Sequence, residues 1–282
     1  MRYIPVLSIV LLLLSVACRE EITLDLPNDD PRLVIEGFVT YWEESLEQNG
    51  AQVSLSTTGN YYDTDVSNPV SSATVTIRDD STQQLYNLVE LENSPGLYVN
   101  NDIPIDSGSA YTLSVEYNNE IFEGSGTVLP VAEVDSFTYR YLEDLLFLDD
   151  GYYFFFSGRT PKERGINYYR FLIYEDDSLY NSREDILVQS DEFLNEQIDT
   201  LQLANYAFEL GDSVRIEMYS LNPVIFDYYS QLQELLFNDG GLFSGPPRNP
   251  TTNLRNITNP DNPPLGFFQV SSALSGGAVV EE

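Results

Sequence analysis

The sequence predicts an all-β protein built from two β-sandwich-like domains. Short runs of β-branched and aromatic residues are separated by Asn, Asp, Gly and Pro, several runs alternate between apolar and polar residues, and helical spacing begins only after Asn222. Hydrophobic residues make up 42% of the 282 positions, which is enough to give each domain its own core. We place the two domains at residues 32–131 and 132–282.

The residues before the first domain are predicted to be targeting and tether sequence. Residues 1–17 run from Arg2 through an apolar block to small residues, which is the order of a secretory signal peptide. Cys18, the only cysteine, follows directly, and the segment resembles a bacterial lipobox, whose cysteine is acylated and becomes the first residue of the mature protein. The alternative is an ordinary secretory signal, or a cytosolic protein, with an unrelated cysteine.

Residues 18–31 predict an acidic tether that ends in prolines and holds the body of the protein away from the bilayer. Within it, Glu20 and Glu21 lie next to the lipid cysteine. They resemble the acidic export signal that sends some lipoproteins to the outer face of the outer membrane. The alternative is a linker whose charges only keep it soluble.

The composition excludes several functional classes. The chain has 45 acidic and 13 basic residues, a net charge of −32, and such a surface repels nucleic acid and anionic membranes. It has no histidine, which excludes His-based catalytic triads and His-ligated zinc. Asp63 opens a run that resembles a calcium loop but lacks the required glycine and glutamate, so we expect neither a metal nor a cofactor. Catalysis by two carboxylates stays open.

The pattern of the N-terminal domain is entirely β. Apolar residues alternate with polar ones over 73–77 and 111–117, which predicts strands with one buried face. Asn118 and Asn119 predict the turn of a hairpin that continues into 120–128. The alternation over 73–77 lies within a strand predicted at 72–78, and further strands are predicted at 33–40, 51–56, 84–91 and 96–99.

The C-terminal domain combines strands, one helix and a long loop. Strands are predicted at 134–141, 152–157, 167–174, 213–221 and 265–271, and we expect 152–157 to pair with 167–174. Residues 175–200 are acidic and weakly patterned, which predicts a long loop with little structure of its own.

The only helical spacing follows Asn222. Val224, Tyr228 and Leu232 recur at helical intervals, and Pro223 suits the first helical position, so we predict one helix near 223–238. Several prolines between residues 245 and 264 then predict a long, irregular loop.

Binding residues are sought in loops, because the aromatic residues of strands such as 152–157 are expected to form core. The loop candidates are the aromatic residues Trp42, Tyr61, Tyr62, Tyr228, Tyr229 and Phe243. The proline-rich segment 243–264 adds Pro246, Pro247 and Arg248, because proline restricts the backbone and lowers the entropy lost on docking. We expect this segment to contact a ligand or partner and to contribute few apolar residues to either core.

An ordered set of short motifs carries a family resemblance that covers nearly the whole mature chain. The motifs are Leu-Val-Ile-Glu-Gly at 33–37, Tyr-Thr-Leu-Ser-Val at 111–115, Asn-Tyr-Tyr-Arg-Phe at 167–171, Asp-Ser-Val-Arg-Ile at 212–216, Leu-Asn-Pro at 221–223 and Pro-Leu-Gly-Phe-Phe at 264–268. With these motifs, the lipobox and the acidic tether, the chain is similar to the lipoproteins grouped as domain of unknown function 4249. That family comes from Bacteroidota-type bacteria, and its genes often lie beside one for a TonB-dependent outer-membrane transporter. No catalytic residue follows from the resemblance.

From the resemblance and the residues together, we predict a surface-exposed outer-membrane lipoprotein without catalytic activity. Held by the lipid on Cys18, it would capture or present a ligand as an accessory to a TonB-dependent transporter. Two other functions stay open at this point. One is an adhesin or envelope-assembly protein that binds another protein, and the other is a carboxylate-based hydrolase, which needs two facing carboxylates in a cleft.

Overall fold

A computed structural model describes residues 30–43, 48–59, 68–161, 165–238 and 245–282. Over these ranges the chain consists mainly of strands with one α-helix, so the prediction of an all-β fold is confirmed. No helix within the described ranges has the length and apolarity needed to cross a membrane. The predictions for Cys18, Glu20, Glu21, Tyr61, Tyr62, Asp63 and Phe243 fall on residues outside the described ranges.

The strands described before residue 131 follow the predicted order. The hairpin turn at Asn118 and Asn119 is confirmed, since both residues have positive φ, 51° and 62°, as a tight two-residue turn requires. The predicted strand 84–91 is interrupted at Leu88, whose side chain is buried. The strands are β1 Leu33–Trp42, β2 Gly50–Thr57, β3 Thr74–Asp79, β4 Leu85–Asn87, β5 Val89–Glu90, β6 Leu97–Asn100, β7 Ala110–Tyr117 and β8 Glu120–Thr127.

The second half also contains the predicted helix, which begins with Pro223 in its first turn. Its strand over 213–221 has the predicted bounds, and its last strand is longer than predicted. The elements are β9 Glu133–Leu142, β10 Gly151–Arg159, β11 Tyr168–Glu175, β12 Ser178–Leu179, β13 Leu187–Ser190, β14 Gln197–Gln202, β15 Ser213–Leu221, helix α1 Pro223–Leu236, β16 Leu254–Asn256 and β17 Leu265–Val279.

One long sheet runs through the molecule. Its nine strands lie in the order β12-β11-β15-β17-β1-β2-β6-β5, with β13 also paired to β11. The last strand, β17, lies in the middle, parallel to β1 and antiparallel to β15. A five-stranded sheet has the order β16-β8-β7-β3-β4, and a three-stranded sheet has the order β14-β10-β9.

Two hydrophobic cores lie between the long sheet and the smaller sheets. The first contains residues of β1, β2, β3, β7 and β8, and the second contains residues of β10, β11 and β15. The first core also takes in Leu254, Phe268 and Val270 from the end of the chain. The cores divide near residue 131, but the nine-stranded sheet crosses that position, and the independence of two domains stays a prediction.

The prediction of an unstructured loop over 175–200 is wrong. β12 and β13 both pair with β11, and β14 pairs with β10, where Ile198 is 7% exposed. Each of these strands has two to six residues, too few to show a clear period in the sequence. Their hydrogen-bond partners are the edges of existing sheets, which a local sequence pattern does not reveal.

The predicted pairing of 152–157 with 167–174 is also wrong. β10 pairs with β9 and β14, whereas β11 pairs with β12, β13 and β15. The two segments lie in different sheets that face each other across the second core, where the rings of Phe156 and Phe171 are 6.4 Å apart. The prediction that these aromatic residues are buried is confirmed for most of them, whereas Tyr152, Tyr168 and Tyr174 are half-buried. The buried ones are Tyr153, Phe154, Phe155, Phe156, Tyr169 and Phe171.

The proline-rich segment contributes more to the fold than predicted. It contains β16, which pairs with β8, and Leu254 is 5% exposed within the first core. The Asn253 side chain bridges to β17, where it accepts from the Phe268 amide at 2.9 Å and donates to the Phe268 carbonyl at 2.8 Å. Leu254 is the only described apolar residue of the segment that lies in either core, in agreement with the expectation of few. Leu254 and Asn253 nevertheless connect the segment to the fold, because prolines restrict the backbone without excluding packing.

Three asparagines fasten the rest of this segment to β8. Asn256, Asn259 and Asn262 donate to the carboxylate of Glu120 at 3.0, 2.8 and 2.7 Å. These hydrogen bonds, that of Asn259 foremost, hold the pKa of the Glu120 carboxyl below its ordinary value. Glu120 is the first residue after the hairpin turn, so the segment is attached to one end of the five-stranded sheet.

Candidate functional site

The outward face of the nine-stranded sheet carries a concave site. In β1, Ile35 and Val39 point into the first core, while the alternating residues Phe38 and Trp42 point the other way. Helix α1 covers part of this outward face by packing on Phe267. Next to the helix lies a hollow of about 440 Å³, called here the sheet hollow. Its volume is in the range of small-molecule sites.

Aromatic side chains form one wall of the sheet hollow. The rings of Trp42 and Tyr219 meet edge to face with their centroids 5.8 Å apart. Both residues lie opposite Ala273 in the strand registers, so the short side chain of the central strand leaves room for two rings above it. Phe38 and Tyr174 also line the sheet hollow. Such ring faces stack on planar or ring-shaped ligands.

A carboxylate that forms a salt bridge with an arginine supports this wall. Glu217 is 7% exposed and accepts hydrogen bonds from the hydroxyls of Tyr219 at 2.7 Å and Tyr174 at 3.2 Å. The guanidinium of Arg215 donates to the same carboxylate and lies 3.7 Å from the centre of the Tyr174 ring. Burial raises the pKa of both tyrosines, so they keep the protons that they donate to Glu217.

Arg170 provides the positive charge of the sheet hollow. Its guanidinium stacks 4.2 Å from the centre of the Tyr229 ring and donates through Nη1 to the Tyr229 hydroxyl. That hydroxyl donates to Gln269 Oε1 at 3.0 Å, and Gln269 Nε2 donates to Ser271 Oγ at 3.0 Å. Gln269 and Ser271 are fully buried, so the guanidinium is held by an ordered chain of hydrogen bonds.

Amide side chains complete the lining. Gln48, Gln52, Asn101 and Gln269 lie around the sheet hollow. The exposed amides of Gln48, Gln52 and Asn101 offer both donors and an acceptor, whereas the buried Gln269 amide is bonded to Tyr229 and Ser271. Rings for stacking, amides for hydrogen bonds and one guanidinium together suit a ring-shaped polar molecule. The residues come from strands far apart in the chain and meet only because β17 lies between β1 and β15.

The structure brings three of the predicted binding residues together. Pro246, Pro247 and Arg248 are exposed and line a second hollow of about 440 Å³ beside the end of helix α1. Leu235 and Phe237 contribute its apolar side, and Phe237 is 46% exposed. We call this second hollow the helix-end hollow.

The two predicted helix tyrosines have different surroundings from those expected. Tyr229 is 3% exposed and packs on Phe267 with ring centroids 5.3 Å apart, so its role in the structure is to hold Arg170. Tyr228 is partly buried against the same ring at 5.0 Å. These tyrosines belong to a helix face packed on the sheet and not to a loop. The prediction that Tyr229 is a surface binding residue therefore does not fit its burial.

Of the residues that line the sheet hollow, the sequence singled out Trp42 alone. Arg170 lies between Tyr169 and Phe171, and Gln269 lies between Phe268 and Val270. A polar residue inside an apolar strand run is a weak sequence signal for an outward-facing site. The strand order of the sheet would also be needed to see that these residues meet, and that order was not predicted.

The described ranges contain no group of three or more Asp, Glu or Cys side chains placed to hold a metal ion. Comparison with known families gives a match between residues 19–276 and the family model described as Domain of unknown function (DUF4249). No curated protein matches the chain.

Proposed function

This chain belongs to the DUF4249 family, and from that premise we propose that it is a non-catalytic, lipid-anchored outer-membrane protein that captures a small ligand. The observation that carries the proposal is the sheet hollow, where Trp42, Tyr219 and Arg170 surround a volume of about 440 Å³. The ligand is then presented to a TonB-dependent outer-membrane transporter.

Preorganisation favours binding at the sheet hollow. Glu217 and the Gln269 chain hold the tyrosine and arginine side chains in place before any ligand arrives, so less side-chain entropy is lost on binding. Among the described residues, the lining contains no pair of carboxylates, and the adjacent carboxylate of Glu217 is already bonded to Arg215. This arrangement favours capture over carboxylate-based hydrolysis as the function of this hollow.

Ligand capture is tested with the purified mature lipoprotein incubated with spent growth medium. Bound small molecules are released and identified by mass spectrometry. We expect Trp42→Ala to lose them, because truncating a central aromatic contact costs about 2 kcal/mol or more, roughly 30-fold in affinity. Phe193→Ala is the control, since Phe193 is 92% exposed and does not line the hollow. Identical recovery from all three proteins would count against capture at this site.

The anchor is tested at Cys18. The proposed lipid on this residue is the only attachment that the proposal provides, so Cys18→Ser should move the protein from the membrane fraction to the soluble fraction. Labelling with a radioactive fatty acid measures acylation directly, and Ser15→Ala serves as a neighbouring control that keeps the thiol. Label on the Cys18→Ser protein would disprove acylation at this position.

The proposed orientation follows from Glu20 and Glu21, which form an acidic signal for display on the cell exterior. The helix-end hollow is the proposed contact with the transporter, because exposed prolines lie beside the partly exposed Phe237 there. A co-transcribed transporter gene would support this partner. The alternative of an adhesin or envelope-assembly protein would use the same exposed face for a different protein.

A further inference from the structure

Arg170 lines the sheet hollow and has no carboxylate partner among the residues that the structure describes. Arg78, Arg183, Arg215 and Arg255 each pair with an Asp or Glu. Arg170 forms no ion pair with any residue in the described ranges, although the chain has 45 acidic residues and only 13 basic ones. The nearby carboxylate of Glu217 is occupied by three donors. The charge of Arg170 is therefore available to a ligand.

One donor of the guanidinium is also unsatisfied. Arg170 Nε is buried and has no hydrogen-bond partner among the described residues. A buried polar group without a partner is costly, and the cost is larger for a charged group. Because the Tyr229 ring and hydroxyl hold the guanidinium in place, it does not swing out freely to water. A fork of fixed N–H donors is the geometry that carboxylates bind best.

We propose that the ligand of the sheet hollow is a small organic anion, with a carboxylate on Arg170 and a ring-shaped body against Trp42. This inference rests on the proposed capture function and names its ligand class. An acidic sugar and an aromatic carboxylic acid share this chemistry. The exposed amides of Gln52 and Asn101 favour the sugar, because they offer donors and acceptors to ring hydroxyls.

Matched probe pairs test the carboxylate. Glucuronate is compared with its neutral amide glucuronamide, and phenylacetate with phenylacetamide, by titration into the mature lipoprotein. Trp42 is the only tryptophan of the chain, so its fluorescence reports directly on the sheet hollow. We expect at least one carboxylate to bind about 10- to 100-fold more tightly than its amide, the range of a hydrogen bond to a charged group. The probe pair that shows this preference tells whether the ligand is an acidic sugar or an aromatic carboxylic acid.

Variants locate the effect. Arg170→Gln should bind each carboxylate and its amide equally, and Arg170→Lys should recover part of the preference because it keeps the charge but loses the fork. Arg255→Gln removes the same charge from β16, outside the hollow, and should bind like the wild type. A thermal melt of each variant checks folding, and if Arg170→Gln does not fold, the wild-type comparison still decides.

Two results would overturn the inference. Equal affinity for acid and amide in the wild type would show that the charge of Arg170 is not used, while capture by the hollow would stand. Failure of both carboxylates to bind would exclude this ligand class. The capture function itself is judged separately, by the compounds that the wild type retains and Trp42→Ala loses, so the two failures are distinguishable.

Discussion

Phe268→Ala is expected to destabilise the protein by about 3–5 kcal/mol, the usual cost of removing a buried phenylalanine ring. The side chain is fully buried in the first core, although it belongs to the last strand of the chain. It fits against two glycines. A Cβ added at Gly37 would lie 2.9 Å from its ring, and one added at Gly124 would lie 3.2 Å from its Cβ. Gly37 and Gly124 have no side chains that could move into the cavity left by the ring.

Urea unfolding measures this change, with Phe193→Ala as the control. Phe193 is 92% exposed, so its truncation should change stability by no more than about 0.5 kcal/mol. Because most domains have a total stability of roughly 5–15 kcal/mol, the Phe268 variant should lose a large part of its margin. A loss below about 1 kcal/mol would mean that the first core does not depend on β17.

The same dependence bears on the predicted domain boundary. Residues 32–131 contain most of the first core, but Leu254, Phe268 and Val270 complete it. An isolated fragment of these residues would also expose the edge of β1 that pairs with β17. The boundary was predicted from Leu129 and Pro130, which close the first run of strands. This local signal identifies where two cores divide. It does not reveal that a strand from the end of the chain is shared between them.

Local pattern predicted the elements whose own residues contain the signal. The strand over 213–221 alternates clearly, and Pro223 marks the start of helix α1, so both were predicted closely. The strands within 175–200 were missed because pairing to β10 and β11 stabilises them. The sheet hollow was missed for a related reason, since Trp42, Arg170 and Gln269 become neighbours only through the strand order.

The proline-rich segment shows how composition misleads. Its prolines and asparagines predict an exposed loop, and Pro246, Pro247 and Arg248 are indeed exposed. Six residues beyond Arg248, the buried Leu254 turns the same segment into part of the first core. An asparagine in such a segment reads as a turn residue in the sequence. In the structure, the Asn253 side chain forms a hydrogen bond with the backbone carbonyl of Phe268, and the Asn256 side chain donates to the Glu120 carboxylate.

Replacing residues 251–262 by a Gly-Ser segment of equal length is expected to unfold the protein or to lower its stability by about 5 kcal/mol. Loss of the Leu254 side chain alone costs about 2–5 kcal/mol. The replacement also removes both hydrogen bonds between Asn253 and Phe268, and a typical net contribution is about 1 kcal/mol each. The bonds from three asparagines to Glu120 are lost as well.

The matched control replaces residues 245–249, which are exposed, by an equal Gly-Ser segment. Thermal melts should show this control at the wild-type midpoint, because surface changes away from packed groups have small effects. A wild-type melt for the 251–262 replacement would instead show that the segment is only attached to a core that is complete without it.

The folded control then isolates the proposed partner contact, because it lacks Pro246, Pro247 and Arg248 but keeps Leu254. If the helix-end hollow binds the transporter, co-purification should fall for the control although its fold is intact.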